Sequence, residues 1–221
     1  MSILSRITKE NYLKTIVKFL AAPDKDFITT GELAKLMAVT PGTATTMVKR
    51  LEKDGYLKHK SHYGTSLTKK GETFGISILR RHRLLETFLE QVLNMKKDEI
   101  HNEAENLEHA VSDKLIDLID AYLGFPNKDP HGEDIPSKTQ KTYQLKGQRL
   151  CSAPENKLLQ VVSFTKSENL KDYFKKIKLN YESKIIVHEK NIETGLAKII
   201  IDNKEVQCAI LILDKIIVQE V

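Results

Sequence analysis

Thr40-Pro41-Gly42 opens a helix about three residues after another has closed, and that short link constrains the fold most. The first helix lies in TTGELAKLMAV. Thr29 and Glu32 have the Thr-x-x-Glu spacing of a capping box, and Leu33, Leu36 and Met37 form its inner stripe. The second lies in TPGTATTMVKRLEKDG. Thr40 suits the N-cap and Pro41 the first helical position, and Asp54-Gly55 ends the helix. Two helices joined so tightly, the second rich in small polar and basic side chains, predict a helix-turn-helix. Upstream, ITKENYLKTIVKFLAA carries Tyr12, Leu13, Ile16, Val17 and Leu20 at helical spacing and stops before Pro23. Downstream, YLKHKSHYGTSLTKKG has two β-prone runs around a polar turn with Gly64, which reads as a hairpin or wing. A helical-bundle fragment beside a hairpin is the plainer alternative.

Charge placement favours DNA. Lys and Arg outnumber Asp and Glu 35 to 30, a net charge of +5, and basic residues crowd into 49–83 while carboxylates concentrate in 98–134. With 29% charged and 40% hydrophobic residues, a soluble globular protein is expected. Cys151 and Cys208 have no metal-site spacing, so reduced thiols are expected. MSILSRITKENY has no long apolar core and no apolar run reaches membrane-spanning length, so the expected location is cytoplasmic, with no membrane partner.

After Thr68 a long helix is predicted through GETFGISILRRHRLLETFLEQVL, and another from near Asp98 to Tyr122, stopped by LGFP. Residues 124–147 read as a partly structured linker. The β-rich remainder, with NLKDYFKKI as one short helix, reads as a small β-barrel-like domain. The expected fold is therefore mainly α with a small β domain. Its expected division is 1–73 for the winged helix-turn-helix, 74–140 for a helical dimerisation and metal domain, and 141–221 for the β domain.

The stretch HNEAENLEH concentrates metal-ligand chemistry. On one helix, His101, Glu105, Glu108 and His109 fall within an arc of about 100°. Ala104, Leu107, Val111, Leu115, Leu118 and Tyr122 would form the adjacent apolar stripe. His82 and Glu86 sit one turn apart on the preceding helix. Such residues are more often a solvated face with weak intrahelical pairing. However, Glu105 and Glu108 are like charges one turn apart, and no lysine of the same helix flanks them. A bound cation is the economical partner. No HExxH motif or nucleophile–base pair is apparent, which argues against a metalloenzyme.

The stretches KENYLKTI, AVTPGTATTMVKRLEKDGYL, LTKKG, RRHRLLETFL, HNEAENLEHAVSD and DPHGEDIP resemble, in order, the diphtheria-toxin-repressor family of metal-dependent transcription regulators. The resemblance is to its manganese-transport-regulator branch. The tail is similar, more loosely, to the family's SH3-like domain, related to ferrous-transport accessory domains. This resemblance implies a primary metal site at Glu105, Glu108 and His109, with a ligand from the first helix at Asn11, where the family usually has Asp or Met. Lys14 stands where some manganese regulators have Glu, so a two-metal cluster bridged by that residue is not expected. It implies a second site at His82, Glu86 and His101 with Glu168 of the tail, or in a variant arrangement at Glu86, Asp129 and His131. DPHG also reads as a simple turn. Imidazoles and carboxylates without sulfur suit Mn2+ or Fe2+, with tighter binding of Co2+, Ni2+ or Zn2+ expected in vitro.

The resemblance further implies a homodimeric, metal-activated repressor of metal-homeostasis genes that reads double-stranded DNA at a palindromic operator. Thr40, Pro41, Gly42, Thr43, Thr45 and Thr46 are the expected groove-facing residues, and Lys49, Arg50, Lys58, Lys60 and His62 the expected phosphate contacts. No organic cofactor is expected, although a winged-helix regulator answering an organic ligand is the alternative.

Overall fold

The computed structural model describes residues 3–165 and 168–221. The chain forms two compact units, Met1–Gln144 and Leu145–Val221. The first contains α1 (Ile3–Leu20), α2 (Thr30–Leu36), α3 (Pro41–Lys53), β1 (Leu57–Lys60), β2 (Gly64–Leu67), α4 (Lys69–Gln91), α5 (Ile100–Leu107) and α6 (Asp113–Tyr122).

The local signals at α2 and α3 are realised in atomic detail. The Glu32 backbone N–H donates to Thr29 Oγ1 at 3.1 Å while the Thr29 N–H donates to the Glu32 carboxylate at 2.9 Å, a closed capping box. The Thr43 N–H donates to Thr40 Oγ1 at 3.2 Å and starts α3. Tyr12, Leu13, Ile16 and Leu20 of α1 pack with Ile28, Leu33, Val48, Leu51 and Leu57 in one core. Leu36 departs from the expected inner stripe and is exposed. Strands β1 and β2 pair antiparallel from Leu57↔Leu67 to Lys60↔Gly64, and the Ile28↔Thr65 bridge ties this wing to the segment before α2. Gly64 allows that contact. Its φ is +122°, and a Cβ there would lie 2.6 Å from the Ile28 carbonyl oxygen.

Helix α4 links this core to a second, formed by Leu84, Leu85, Leu89, Ile100, Ala104, Ile116 and Ile119. Gly75 brings the α1 backbone against α4. A Cβ on it would meet Val17 Cγ2 at 2.6 Å and the Leu13 carbonyl oxygen at 2.7 Å. The helix expected from Asp98 to Tyr122 is instead two helices. Glu108 is the C-cap of α5, and Ser112 restarts the chain as the N-cap of α6, accepting from the Leu115 N–H at 3.2 Å. The break shifts the helical phase. Ile116 and Ile119 therefore turn inward, and the expected apolar stripe residues Leu115, Leu118 and Tyr122 are exposed.

Residues 124–144 are more ordered than a linker. Buried Arg83 of α4 donates to Tyr143 Oη at 2.7 Å, to Glu133 Oε2 at 2.8 Å and to the Asp134 carbonyl, fastening the segment to α4. The expected boundary at 73/74 falls within the single helix α4.

The second unit is an antiparallel sheet of β3 (Gln148–Arg149), β4 (Leu159–Phe164), β5 (Lys184–Asn191), β6 (Leu196–Ile201), β7 (Lys204–Ala209) and β8 (Ile216–Glu220), with helices α7 (Glu168–Lys176) and α8 (Ile210–Leu213). The strand order is β3-β8-β4-β5-β6-β7. Alternate residues such as Ile185 and Val187, or Ala197, Ile199 and Ile201, enter its core. Among the described residues, no helix is long and apolar enough to cross a membrane.

Gly75→Ala is expected to push α1 from α4 and lower the stability of the chain by about 1–3 kcal/mol in urea unfolding. Gly31→Ala in α2, where an added Cβ meets nothing within 4 Å, is expected to leave stability unchanged or slightly raised.

Candidate metal centre and nucleic-acid interface

The polar residues singled out on α4 and α5 converge with part of α1 in a mostly buried cluster. Two halves meet at His82. On one side, His82 Nε2 lies 3.2 Å from Glu86 Oε1 and 3.2 Å from His101 Nδ1, and His101 Nδ1 is 3.0 Å from the same Glu86 oxygen. His131 Nε2 stands 3.6 Å from it. On the other side, His82 Nδ1 donates to Glu108 Oε2 at 2.7 Å. Burial opposes a charged imidazole here, but the Glu108 and Glu86 hydrogen bonds outweigh it and hold the His82 pKa above its ordinary value. Glu86 is buried too. Its surrounding imidazoles His101, His131 and His82 overcome that desolvation and hold its carboxyl well below the usual range.

The other half contains a side chain whose role the sequence concealed. Lys14 Nζ donates to Glu105 Oε1 at 2.6 Å and to Glu108 Oε1 at 2.7 Å, and its side chain is 7% exposed. Burial raises the Glu105 pKa, but the Lys14 charge and hydrogen bond more than compensate and lower it. The positive partner expected for these like charges is thus supplied by α1. His109 Nδ1 donates to Glu10 Oε2 at 2.6 Å, and Arg6 donates to the His109 carbonyl at 2.6 Å. Asn11 is half-buried, and its Oδ1 has no hydrogen-bond partner. Glu10 and Lys14 were missed as site residues. The available signal was their i,i+4 spacing beside the inward-facing Tyr12, Leu13 and Ile16.

The donor chemistry separates the two halves. His82, Glu86 and His101 offer three ligand atoms within 4.8 Å of one another, and so do His82, Glu105 and Glu108, but Lys14 already engages the latter two carboxylates, whereas half-exposed His101 leaves an approach from solvent to the first set. Glu108 orients His82 through Nδ1, as a carboxylate commonly does for a metal-binding imidazole, and leaves Nε2 for an ion. This set fits a divalent cation. The Asn11, Glu105, Glu108 and His109 set does not fit as the side chains stand, because Lys14 engages both α5 carboxylates, although Glu10 holds His109 through Nδ1 and leaves its Nε2 3.4 Å from Glu108 Oε1. Asp129 turns its Oδ1 to the backbone N–H groups of His131 and Glu133, at 2.8 and 2.9 Å, so DPHG is a turn that also sets His131 beside Glu86. The expected ligand Glu168 has a side chain outside the described residues.

The expected DNA contacts are all exposed. Thr40, Pro41, Gly42, Thr43, Thr45, Thr46, Lys49 and Arg50 are exposed on α3, and Lys58, Lys60 and His62 are exposed on the wing. Thr45 Oγ1 donates to the Pro41 carbonyl at 2.8 Å and Thr46 Oγ1 to the Gly42 carbonyl at 2.9 Å. Their hydroxyl protons are thereby engaged within the helix, and outwardly they present methyl groups and oxygen lone pairs. Lys60 Nζ lies 4.1 Å from the Tyr63 ring centroid.

Lys14→Met would leave fully buried Glu108 and its neighbour Glu105 without their shared ammonium, with His82 as the remaining close partner of Glu108. Urea unfolding is expected to register a loss of about 3–5 kcal/mol, the range typical for deleting one member of a buried ion pair. A loss below about 1 kcal/mol would mean the pair behaves as an exposed one.

Comparison with known proteins places this geometry in a family. The model "Iron dependent repressor, N-terminal DNA binding domain" matches residues 6–65, and "Iron dependent repressor, metal binding and dimerisation domain" matches 68–137. The HTH-type transcriptional regulator MntR of Bacillus subtilis (strain 168) is 34% identical over 134 residues, covering 60% of this chain and 92% of the relative. The structure of the manganese regulator SloR aligns with a TM-score of 0.83 at 30% identity, covering 96% of this chain and 98% of that one. A manganese-dependent transcriptional repressor in complex with manganese aligns with a TM-score of 0.81 at 31% identity, covering 96% and 100%. With the helix-turn-helix, the wing and the α4–α5 ligand cluster in family order, the chain belongs to the iron-dependent, or diphtheria-toxin-repressor, family of metal-responsive DNA-binding repressors, in its manganese-transport-regulator branch.

Proposed function

We propose that the chain is a homodimeric repressor of metal-homeostasis genes, activated by Mn2+, with Fe2+ as the second candidate, that binds a palindromic operator. One observation carries this reading. A ligand set of His82, Glu86 and His101 is joined through Glu108 and Lys14 to α1, which shares its core with the DNA-reading helices. The sulfur-free donors support Mn2+ or Fe2+ over Cu(I). The manganese-bound relative supports Mn2+.

His82 and Glu86 of α4 and His101 of α5 would hold the ion, which would supply a positive charge among them, and His82 would offer Nε2 in its deprotonated form. His82 keeps its Nδ1 bond to Glu108, Glu108 keeps Lys14, and Lys14 holds α1 in place. The pose of α1 constrains α3 through the shared core of Leu13, Ile16, Val48 and Leu51. The ion acts by its differential affinity for the arrangement in which two α3 helices meet successive major grooves.

Exposed Leu115, Leu118 and Tyr122 on α6 form the proposed dimer surface, with the last two 59% and 72% exposed. The proposed division keeps residues 1–73 as the reading module and 74–140 as the dimerisation and metal module. The threonine methyl groups of α3 and Pro41 are suited to thymine methyl contacts. Lys49, Arg50, Lys58 and Lys60 supply phosphate contacts.

Fluorescence anisotropy with promoter DNA tests the proposal. Mn2+ is expected to tighten binding at least tenfold over EDTA, and Glu86→Ala to abolish that gain while the dimer persists in sedimentation. Equal stimulation of Glu86→Ala and the parent would refute the site. Lys49→Ala is expected to weaken all sequences alike and to reduce the salt slope by about 1. Leu118→Glu is expected to sediment as a monomer.

A further inference from the structure

We infer that Lys14 is a built-in cation occupying the place between Glu105 and Glu108, so that no metal ion is bound there and the metal response rests on the His82, Glu86 and His101 side of the cluster. The inference rests on the proposed function and narrows which of its residues hold the ion.

Three observations converge. The ammonium of Lys14 is within 2.7 Å of a carboxylate oxygen from each glutamate. The α1 backbone that carries Lys14 is held in place, because Leu13, Ile16 and Val17 are buried in packed core and Gly75 brings α1 against α4, and the Lys14 side chain is itself 7% exposed. The other groups expected to complete a metal site here are neutral or committed. Glu108 Oε2 accepts from His82. What remains is His109 Nε2, 3.4 Å from Glu108 Oε1, and the unpartnered amide oxygen of Asn11, neutral donors that do not replace two engaged carboxylates.

Charge accounting points the same way. Glu105 and Glu108 together carry −2, which Lys14 reduces to −1, and His82 lies against the same Glu108. A divalent ion entering this half would have to sit beside a buried ammonium, which like-charge repulsion opposes, or break both of its ion pairs to displace it. On the other half no lysine or arginine contact to Glu86 is present among the described ion pairs. On this reading Lys14 anchors α1 to α5 without metal, and metal acts on the adjoining α4–α5 contact.

Equilibrium dialysis of the full chain against Mn2+, followed by elemental analysis, tests this directly. Glu105→Gln is expected to bind the same number of ions per chain as the parent. Lys14→Met, which frees the two carboxylates, is expected to bind one more. Loss of one ion in Glu105→Gln overturns the inference, and so does a folded Lys14→Met that gains none. Should Lys14→Met fail to fold, the Glu105→Gln count decides alone. Failure of the broader functional reading has a different signature, DNA binding indifferent to EDTA in the parent, and leaves this comparison of ion counts intact.

Discussion

A buried ammonium between two buried or half-buried carboxylates is the interaction on which the site depends. Lys14 of α1 meets Glu105 and Glu108 of α5, and Glu108 in turn fixes one nitrogen of His82 on α4. Each group is costly to bury alone and acceptable together, so removing any one disturbs the others. The three helices are thus locked by electrostatics as well as by apolar packing. That lock supplies a physical route from a metal-ligand set to the DNA-reading module within one compact unit.

The glycines make the lock geometrically possible. Gly75 lets the α1 backbone approach α4 closely enough for Lys14 to reach α5, and Gly64 seats the wing on the segment ahead of α2. The break at Glu108 to Ser112 also has a consequence for the site. It places Glu108 as a helix cap and lets α6 turn Ile116 and Ile119 to the core while Leu115, Leu118 and Tyr122 face outward. A single continuous helix would have buried the wrong face.

Much of this was legible in the sequence because its signals are local. Capping at Thr29 and Thr40 marked two helix starts, and the apolar spacing of Tyr12, Leu13 and Ile16 marked the face of α1. The convergence of His82, Glu86 and His101 followed from helical periodicity together with the family resemblance. What stayed hidden was long-range. Lys14 and Glu105 are separated by 91 residues, so no helical wheel could pair them. Lysine also reads as a surface residue, and only the three-dimensional packing turns this one inward. The α5–α6 break was signalled by Ser112-Asp113 but masked by the continuous apolar rhythm around it, and the ordering of residues 124–144 draws on long-range contacts such as those of buried Arg83 and the packing of Ile135.

The account can be tested most directly by anomalous diffraction from crystals of the full chain grown in MnCl2. It requires a manganese peak among His82 Nε2, Glu86 and His101, with Lys14 Nζ still bridging Glu105 and Glu108. A peak between Asn11, Glu105, Glu108 and His109, with the lysine swung out to solvent, would contradict it.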